Sequence, residues 1–287
     1  MTKIKYFIQF ILIISLFGVF KILGLKKSSK FSEYLFFLIG PFFRSKMIFQ
    51  KNIRKAFPKI DTNKGNEIYK KMWGNYGKMF AEYMFIKKFR LSNKFQKNFI
   101  IENEIILEKI KQNKDPVIFI SGHFNNFELM AMHLEKFGIN LAAIYRPLNN
   151  IYLNPIMVKI RKKYICKKQI KKGISGTKQI LKEYKKGSSI ALMIDQRVSQ
   201  GILCDFFGHK AWTTTIPAQF VKKFNTKVVP IYIERLKDDK FKLKIYDFIE
   251  FENHHDVGTI TFKLNKVLEN MIRKNPSQWI WTHDRWK

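Results

Sequence analysis

The chain has 287 residues, with 54 lysines and arginines against 22 acidic residues and a net charge of +32. That length buries a full core, and that charge calls for an anionic partner: nucleic acid, an anionic membrane surface, or phosphorylated or carboxylated substrates. Cys166 and Cys204 form no CxxC pair and no zinc spacing, which favours a reducing compartment and argues against a disulfide scaffold.

The chain opens MTKIK and continues YFIQFILIISLFGVF, Lys21 and ILGL. This apolar run is about fifteen residues long, and passes about twenty if Lys21 snorkels. A signal peptide shares the basic start, but no small-x-small cleavage site follows and Leu25 to Lys30 is lysine-rich. Residues 1–30 therefore read as a retained membrane anchor. The more basic part that follows puts the bulk on the cytoplasmic side. A re-entrant or interfacial helix stays open beside a spanning one. A second apolar patch, Tyr34 to Phe43, is too short to span and holds Pro41; it suits a membrane interface or a core helix.

Residues 31–95 read as a helical, membrane-proximal part, and 96–287 as an α/β core. Asp61 or Thr62 starts a helix through Ile68, Met72, Trp73, Tyr76, Met79 and Phe80, whose spacing makes Trp73 and Tyr76 core residues. From Asp115 onward strands and helices alternate. Strands are expected at Val117 to Ile120, Asn140 to Tyr145, Ser189 to Ile194, Lys227 to Ile233 and Phe241 to Phe248. Pro230 places its strand near a sheet edge. Helices are expected at Asn154 to Tyr164, Ser175 to Lys186 closed by Gly187, Thr213 or Thr214 to Phe224, and Thr259 to Lys274. The fold class is α/β: a mixed central sheet covered by helices, with an N-terminal membrane-anchoring helix.

The chain is organised around VIFISGHFNNFELMAMHL, Val117 to Leu134. A buried strand gives way to Gly122-His123, and Asn125 or Asn126 caps a helix with Phe127, Met130 and Leu134 on one face. His123 thus stands at a strand's carboxyl end, where open α/β sheets put their chemistry, and Glu128 lies in the next helix's first turn. On an unbroken helix, at roughly 100° per residue, the two would diverge by about 140°. The loop-to-helix break lets the carboxylate fold back under the imidazole, fix its tautomer and leave the other nitrogen as a base. The spacing alone is common: among six histidines a chance match arises about half the time. A loop histidine beside a solvated acid is the plain alternative.

Other strand ends collect polar groups. Arg146 follows one, and Asp195, Gln196 and Arg197 follow another; neighbouring strands would bring them to His123 at one rim. Arg161 can turn toward that rim or lie on the surface. Phe206-Phe207-Gly208 and Trp212-Thr213 form an aromatic loop, either a lid over an apolar tail or plain packing. His254-His255-Asp256 reads as a loop without further metal ligands.

Together these blocks resemble the bacterial lipid A late acyltransferases, within the lysophospholipid acyltransferase-like superfamily, over nearly the whole chain. Asn52 to Pro58, Trp73-Gly74-Asn75-Tyr76-Gly77 with Glu82, and Gly122 to Glu128 with its His-x4-acid signature are similar to that family's early blocks. Tyr145 to Asn150 with Pro155 and Arg161, Met193 to Gln196, Phe206-Phe207-Gly208, Val228-Val229-Pro230 and Trp279 to Lys287 continue the order. Glu at 128 points to the lipid A branch rather than to glycerophosphate acyltransferases.

The resemblance implies a membrane enzyme that moves a fatty acyl chain from acyl carrier protein, or coenzyme A, to a hydroxyl of a lipid A precursor, at the cytoplasmic face of the inner membrane. His123 would be the general base, with Glu128 orienting it. Arg146, Arg161 or helix-start amides would stabilise the oxyanion, or the arginines would hold acceptor phosphates; Asp195 would orient an arginine or the acceptor, and Gln196 would join the substrate-binding residues. Such a transfer needs no cofactor and no metal. The alternatives are the same chemistry on a phospholipid or aminolipid, and a non-catalytic basic protein on membrane lipids. A nucleic-acid binder has only the charge in its favour, because the aromatics lie in apolar runs and not among arginines.

Overall fold

A computed structural model describes residues 2–287. Helix α1 (Thr2–Phe43) takes in both apolar stretches and is interrupted at Gly24, whose φ of 75° and ψ of 169° leave the helix. Side chains other than hydrogen are strained there. Ser28 secures the bend by donating its hydroxyl to the Phe20 carbonyl at 2.9 Å. The patch from Tyr34 to Phe43 is therefore the end of α1, with Pro41 in its last turn.

Helices α2 (Lys46–Ala56) and α3 (Thr62–Tyr83) follow. The carboxylate of Asp61 caps α3, accepting from the Asn63 and Lys64 amides at 2.8 and 3.0 Å, as its position predicts. The second half of α1 lies directly on α3. A Cβ on Gly77 would fall on the Ser32 carbonyl, one on Gly74 on the Phe37 ring, and one on Gly40 on the Trp73 ring. Phe17, Phe20 and Phe36 surround Phe80 at ring separations of 5.1 to 6.1 Å. Trp73 is core, as expected; Tyr76 is only half-buried.

The remainder runs α4 (Ile86–Leu91), α5 (Asn93–Gln96), β1 (Phe99–Glu102), α6 (Ile105–Asn113), β2 (Ile118–Ser121), α7 (Glu128–Phe137) and β3 (Leu141–Tyr145). Next come α8 (Leu153–Ile160), a π turn (Arg161–Ile165), β4 (Lys168–Lys171), α9 (Ile174–Lys185), β5 (Ser189–Met193), β6 (Ile202–Phe206) and β7 (His209–Thr213). The chain closes with α10 (Ile216–Phe224), β8 (Val228–Arg235), β9 (Phe241–Ile245) and α11 (Val257–Lys274). Seven strands make one mixed sheet in the order β1-β9-β8-β2-β5-β3-β4, and β6 and β7 form a separate hairpin. The strands from β8 to β4 are mutually parallel, while β9 runs antiparallel to β8 and parallel to β1. Every residue of β2 is buried, so the strand before His123 is the centre of the core.

The structure departs from several expectations. Pro230 is not at an edge: β8 lies between β2 and β9. It is tolerated because β8 pairs with β2 only as far as Pro230 and with β9 from Ile231 onward, so the missing N–H falls where one partner replaces the other. Neither Asn125 nor Asn126 caps α7; Phe127 occupies that position with no side-chain cap hydrogen bond, and the Asn126 side-chain amide instead donates to Glu82 at 3.0 Å. The aromatic loop is the β6–β7 hairpin, turned by Phe207 and Gly208 with φ of 54° and 75°. Phe206 is buried against Trp286 and Trp279, so the element is packing and not a lid. His255 closes a turn by accepting from the Glu252 amide at 3.1 Å, and Asp256 caps α11.

The contact between α1 and α3 yields a test. Gly77→Ala pushes a methyl group into the Ser32 carbonyl and should cost about 1–3 kcal/mol. The readout is the denaturation midpoint of the detergent-solubilised chain. Gly65→Ala, on the same helix with open space around it, should leave that midpoint unchanged or raise it.

Candidate active site

Strands β2, β5 and β3 are parallel neighbours, so their carboxyl ends share one rim. Gly122 leaves β2 and Asp195 follows β5. A Cβ at Gly122 would stand 3.2 Å from the Asp195 carboxylate and 3.0 Å from Leu268 and Phe124, so glycine lets the two loops close on each other. The His123 backbone N–H donates to Asp195 Oδ2 at 2.7 Å, and His123 Nδ1 lies 2.7 Å from Oδ1. The Trp279 indole N–H donates to Oδ2 at 2.9 Å.

Asp195 is 1% exposed. Burial alone would raise its carboxyl, but the facing imidazole and the hydrogen bonds from His123 and Trp279 outweigh that and hold it below the usual carboxylate range. A carboxylate only accepts, so Nδ1 carries the proton and Nε2 is the free basic nitrogen. Among the described residues none hydrogen-bonds to Nε2, and Phe127 packs edge-on against the ring at 4.7 Å.

This corrects the expected pairing of His123 with Glu128. The first turn of α7 aims Glu128 at the π turn, where Arg161 Nε donates to Oε1 at 2.8 Å and a second guanidinium N–H reaches the same oxygen. The Tyr83 hydroxyl donates to that oxygen at 3.3 Å. A permanent cation is a stronger partner for the carboxylate than a neutral imidazole. Desolvation pulls the Arg161 guanidinium down, yet Glu128 more than compensates and raises it above its ordinary value. Arg161 also lies over the Tyr145 ring at 5.6 Å.

His123, Glu128, Arg146, Arg161 and Gln196 all line one cleft of about 330 Å³, and Asp195 sits buried behind His123. Its walls are apolar where Ala131, Leu192, Met193 and Ile216 meet, and cationic at Arg44, Arg146 and Lys172. Desolvation, and then Arg146, hold the Lys172 amine below its usual value. A narrower recess on the other side of His123 lies between Met72, Tyr76 and Met79 of α3 and Trp279 and Ile280.

The segment after α11 builds much of this. Phe124 pairs with Trp279 as an isolated bridge, and the Asn125 amide donates to the Gln278 carbonyl at 3.0 Å. Asn52 donates to the Trp281 and His283 carbonyls at 2.9 and 2.7 Å, and the Arg285 guanidinium holds the Trp212 carbonyl at 2.6 Å. Behind Asn126, Glu82 forms a buried ion pair with Arg235. Glu82, Asn52 and Trp279 carried signals through the blocks named above. Tyr83, Lys172 and Arg44 carried none.

The fold and rim define a class: an α/β protein whose central parallel strands present a carboxylate-backed histidine to an apolar, cation-edged cleft. The chain belongs to the bacterial lipid A biosynthesis acyltransferase family, whose model matches residues 1–287. Among curated relatives, a lipid A biosynthesis acyltransferase of Haemophilus influenzae is 26% identical over 187 residues, covering 63% of this chain and 59% of that protein. Lipid A biosynthesis acyltransferase 2 of Shigella flexneri is 24% identical over 197 residues, covering 66% of this chain and 60% of the relative. The match thus spans about three-fifths of the length of each relative.

His283, in the cleft wall, accepts the Arg197 backbone N–H at Nε2, 2.9 Å away, and desolvation lowers it to about 4. Burial lowers His133 to about 4 as well. The unfolded chain takes up these protons as pH falls through about 6.5, while the native chain resists until about 4. Stability should therefore fall with pH across that window. His283→Gln keeps an acceptor without titrating. It should shrink, but not remove, the drop in denaturation midpoint between about pH 7 and about pH 5. An undiminished drop would show that His283 is not buried in its neutral form.

Proposed function

We propose that this chain is an acyltransferase that moves a fatty acyl group from an acyl thioester, on acyl carrier protein or coenzyme A, to a hydroxyl of a lipid A precursor. The observation that carries this is the pairing of His123 Nδ1 with buried Asp195 at 2.7 Å, which leaves Nε2 facing the cleft. His123 removes the proton from the acceptor hydroxyl as its oxygen attacks the thioester carbonyl carbon. The carbonyl electrons move onto oxygen, and the cleft's cations and the amides at the start of α7 stabilise the charge. Collapse breaks the carbon–sulfur bond, and the departing thiolate takes the proton back from His123. Asp195 holds the tautomer and stabilises the transient imidazolium.

Glu128 then has a different part from the one its spacing suggests: it fixes Arg161 in the cleft wall. Arg44, Arg146 and Lys172 face anionic groups of the acceptor or donor. The helix α1 is long and apolar enough to cross a membrane. We place the chain at the inner membrane, with the cleft on the cytoplasmic side.

The test offers lauroyl, myristoyl and palmitoyl carrier protein with a tetra-acylated, Kdo-bearing lipid A precursor. Product should form with the wild-type chain and vanish with His123→Ala. Asp195→Asn keeps the shape but not the charge, and should cut turnover by up to about 10⁴-fold. Arg146→Ala should act mainly on KM. Wild-type turnover in His123→Ala would sink the base assignment; no product from any donor would sink the acceptor assignment.

A further inference from the structure

We propose that the half of α1 beyond Gly24 rests on the leaflet that the first half enters, and that its far end is the threshold over which a lipid acceptor passes into the cleft. This deepens the membrane and acceptor reading just given and rests on it.

The two halves of α1 are built differently. The first is the apolar anchor, and near its start Tyr152 lies against the Phe7 and Phe10 rings at 5.6 and 6.0 Å. The second opens with Lys26, Lys27 and Lys30 and then presents two opposed faces. Ser29, Ser32 and Gly40 are buried, and Gly77 and Trp73 of α3 close on Ser32 and Gly40. Its single acid, Glu33, turns the same way and meets Lys78 of α3 at 3.1 Å. Phe31, Tyr34, Leu38 and Phe42 stand on the other side, exposed to 47, 64, 56 and 89%. At about 100° and 1.5 Å per residue, these four fall within about 80° of one another and run about 16 Å along the helix. A water-facing helix buries its large apolar side chains and exposes its polar ones. Here the order is reversed, as in helices that pack through small residues and turn their large ones to lipid.

Cations bracket this stripe: Lys27 and Lys30 at one end, Arg44 and Lys46 at the other, all four exposed and, among the described residues, none in an ion pair. They set both ends at the depth of the phosphates, with the stripe between them sunk at the acyl boundary, which is the placement of a helix along one anionic leaflet. A second copy of the chain fits poorly, because face-to-face pairing would bring these cations together on chains of net charge +32. An acidic protein would meet the cations and leave the stripe bare. Beyond Phe42 the surface reaches the site. Phe43 and Met47 are exposed to 65 and 72%, and Arg44 between them belongs to the cleft wall with His123. Leaflet surface and cleft thus meet at one residue. An acceptor whose acyl chains stay among Phe42, Phe43 and Met47 carries its polar headgroup past Arg44 to His123 without leaving the leaflet.

The experiment uses the full chain, anchor included, in vesicles of phosphatidylethanolamine and phosphatidylglycerol; native Cys166 and Cys204 are buried and spare the labelling. A fluorophore on Tyr34→Cys or on Phe42→Cys should be quenched by nitroxide lipid, and one on exposed Asn253→Cys should stay bright. Changing Phe42, Phe43 and Met47 together to Gln should raise KM for vesicle-borne acceptor about tenfold or more, since three apolar side chains leave the leaflet. Their side chains are exposed, so kcat and the denaturation midpoint should not move. Either label left bright on a chain that floats with the vesicles overturns the leaflet contact. So does shielding that appears in detergent as protein concentration rises, which marks a second copy. An unchanged KM in the triple variant overturns the threshold. If the wild-type chain forms no product, the acyl-transfer reading fails and the threshold with it, while quenching still decides the contact with the leaflet.

Discussion

Everything at the rim depends on one buried carboxylate. Asp195 sits at the end of β5 with no water-facing surface to speak of, and an uncompensated charge there would be untenable. Three donors from two segments satisfy it: the amide and imidazole of His123 and the indole of Trp279. The arrangement works in both directions. The carboxylate fixes the imidazole, and the donors keep the carboxylate ionised. Gly122 is part of the same constraint, since any side chain there would press on the carboxylate.

Polar contacts behind the rim keep this arrangement from drifting. Glu82, Asn126 and Arg235 tie α3, the loop after β2 and the end of β8 together in the core. Gln278 spans the gap between Asn125 and β8, donating to the Arg235 carbonyl and accepting from its amide, both at 2.9 Å. Breaking a buried ion pair such as Glu82–Arg235 by removing one partner leaves a buried charge alone, typically at about 3–5 kcal/mol. The site is therefore held by segments from every part of the chain, including one reached through Asn52 near the start and Arg285 near the end of the described residues.

How much of this could be read from residues alone follows from what is local. The strand before His123, the helix after it and the cap at Asp61 rest on short-range patterns, and those patterns hold. Asp195 and Arg146 were visible as polar residues at strand ends, but which of them faces His123 depends on strand order, and β5 is not the next strand after β2. The His123–Glu128 spacing suggested a pair that tertiary context dissolves, because Arg161 offers the carboxylate a stronger partner. Trp279 lies 84 positions from Asp195, and no period or spacing links them. The lysine-rich β4 was masked by its composition, which suits an edge strand and a solvated loop equally well.

The π turn after α8 has a consequence for how such a chain can vary. The Cys166 amide reaches back five residues to the Arg161 carbonyl, at 2.9 Å, so one residue more than an α-helix needs is stored in that turn. Losing a single residue there while β4 kept its place would rewind α8 by about 100°. Arg161 would swing off Glu128, and Tyr152 would leave α1 in the same movement. The phase of the helix is thus set by one surplus residue, and insertions or deletions within this short turn should be far less tolerated than substitutions of its exposed lysines.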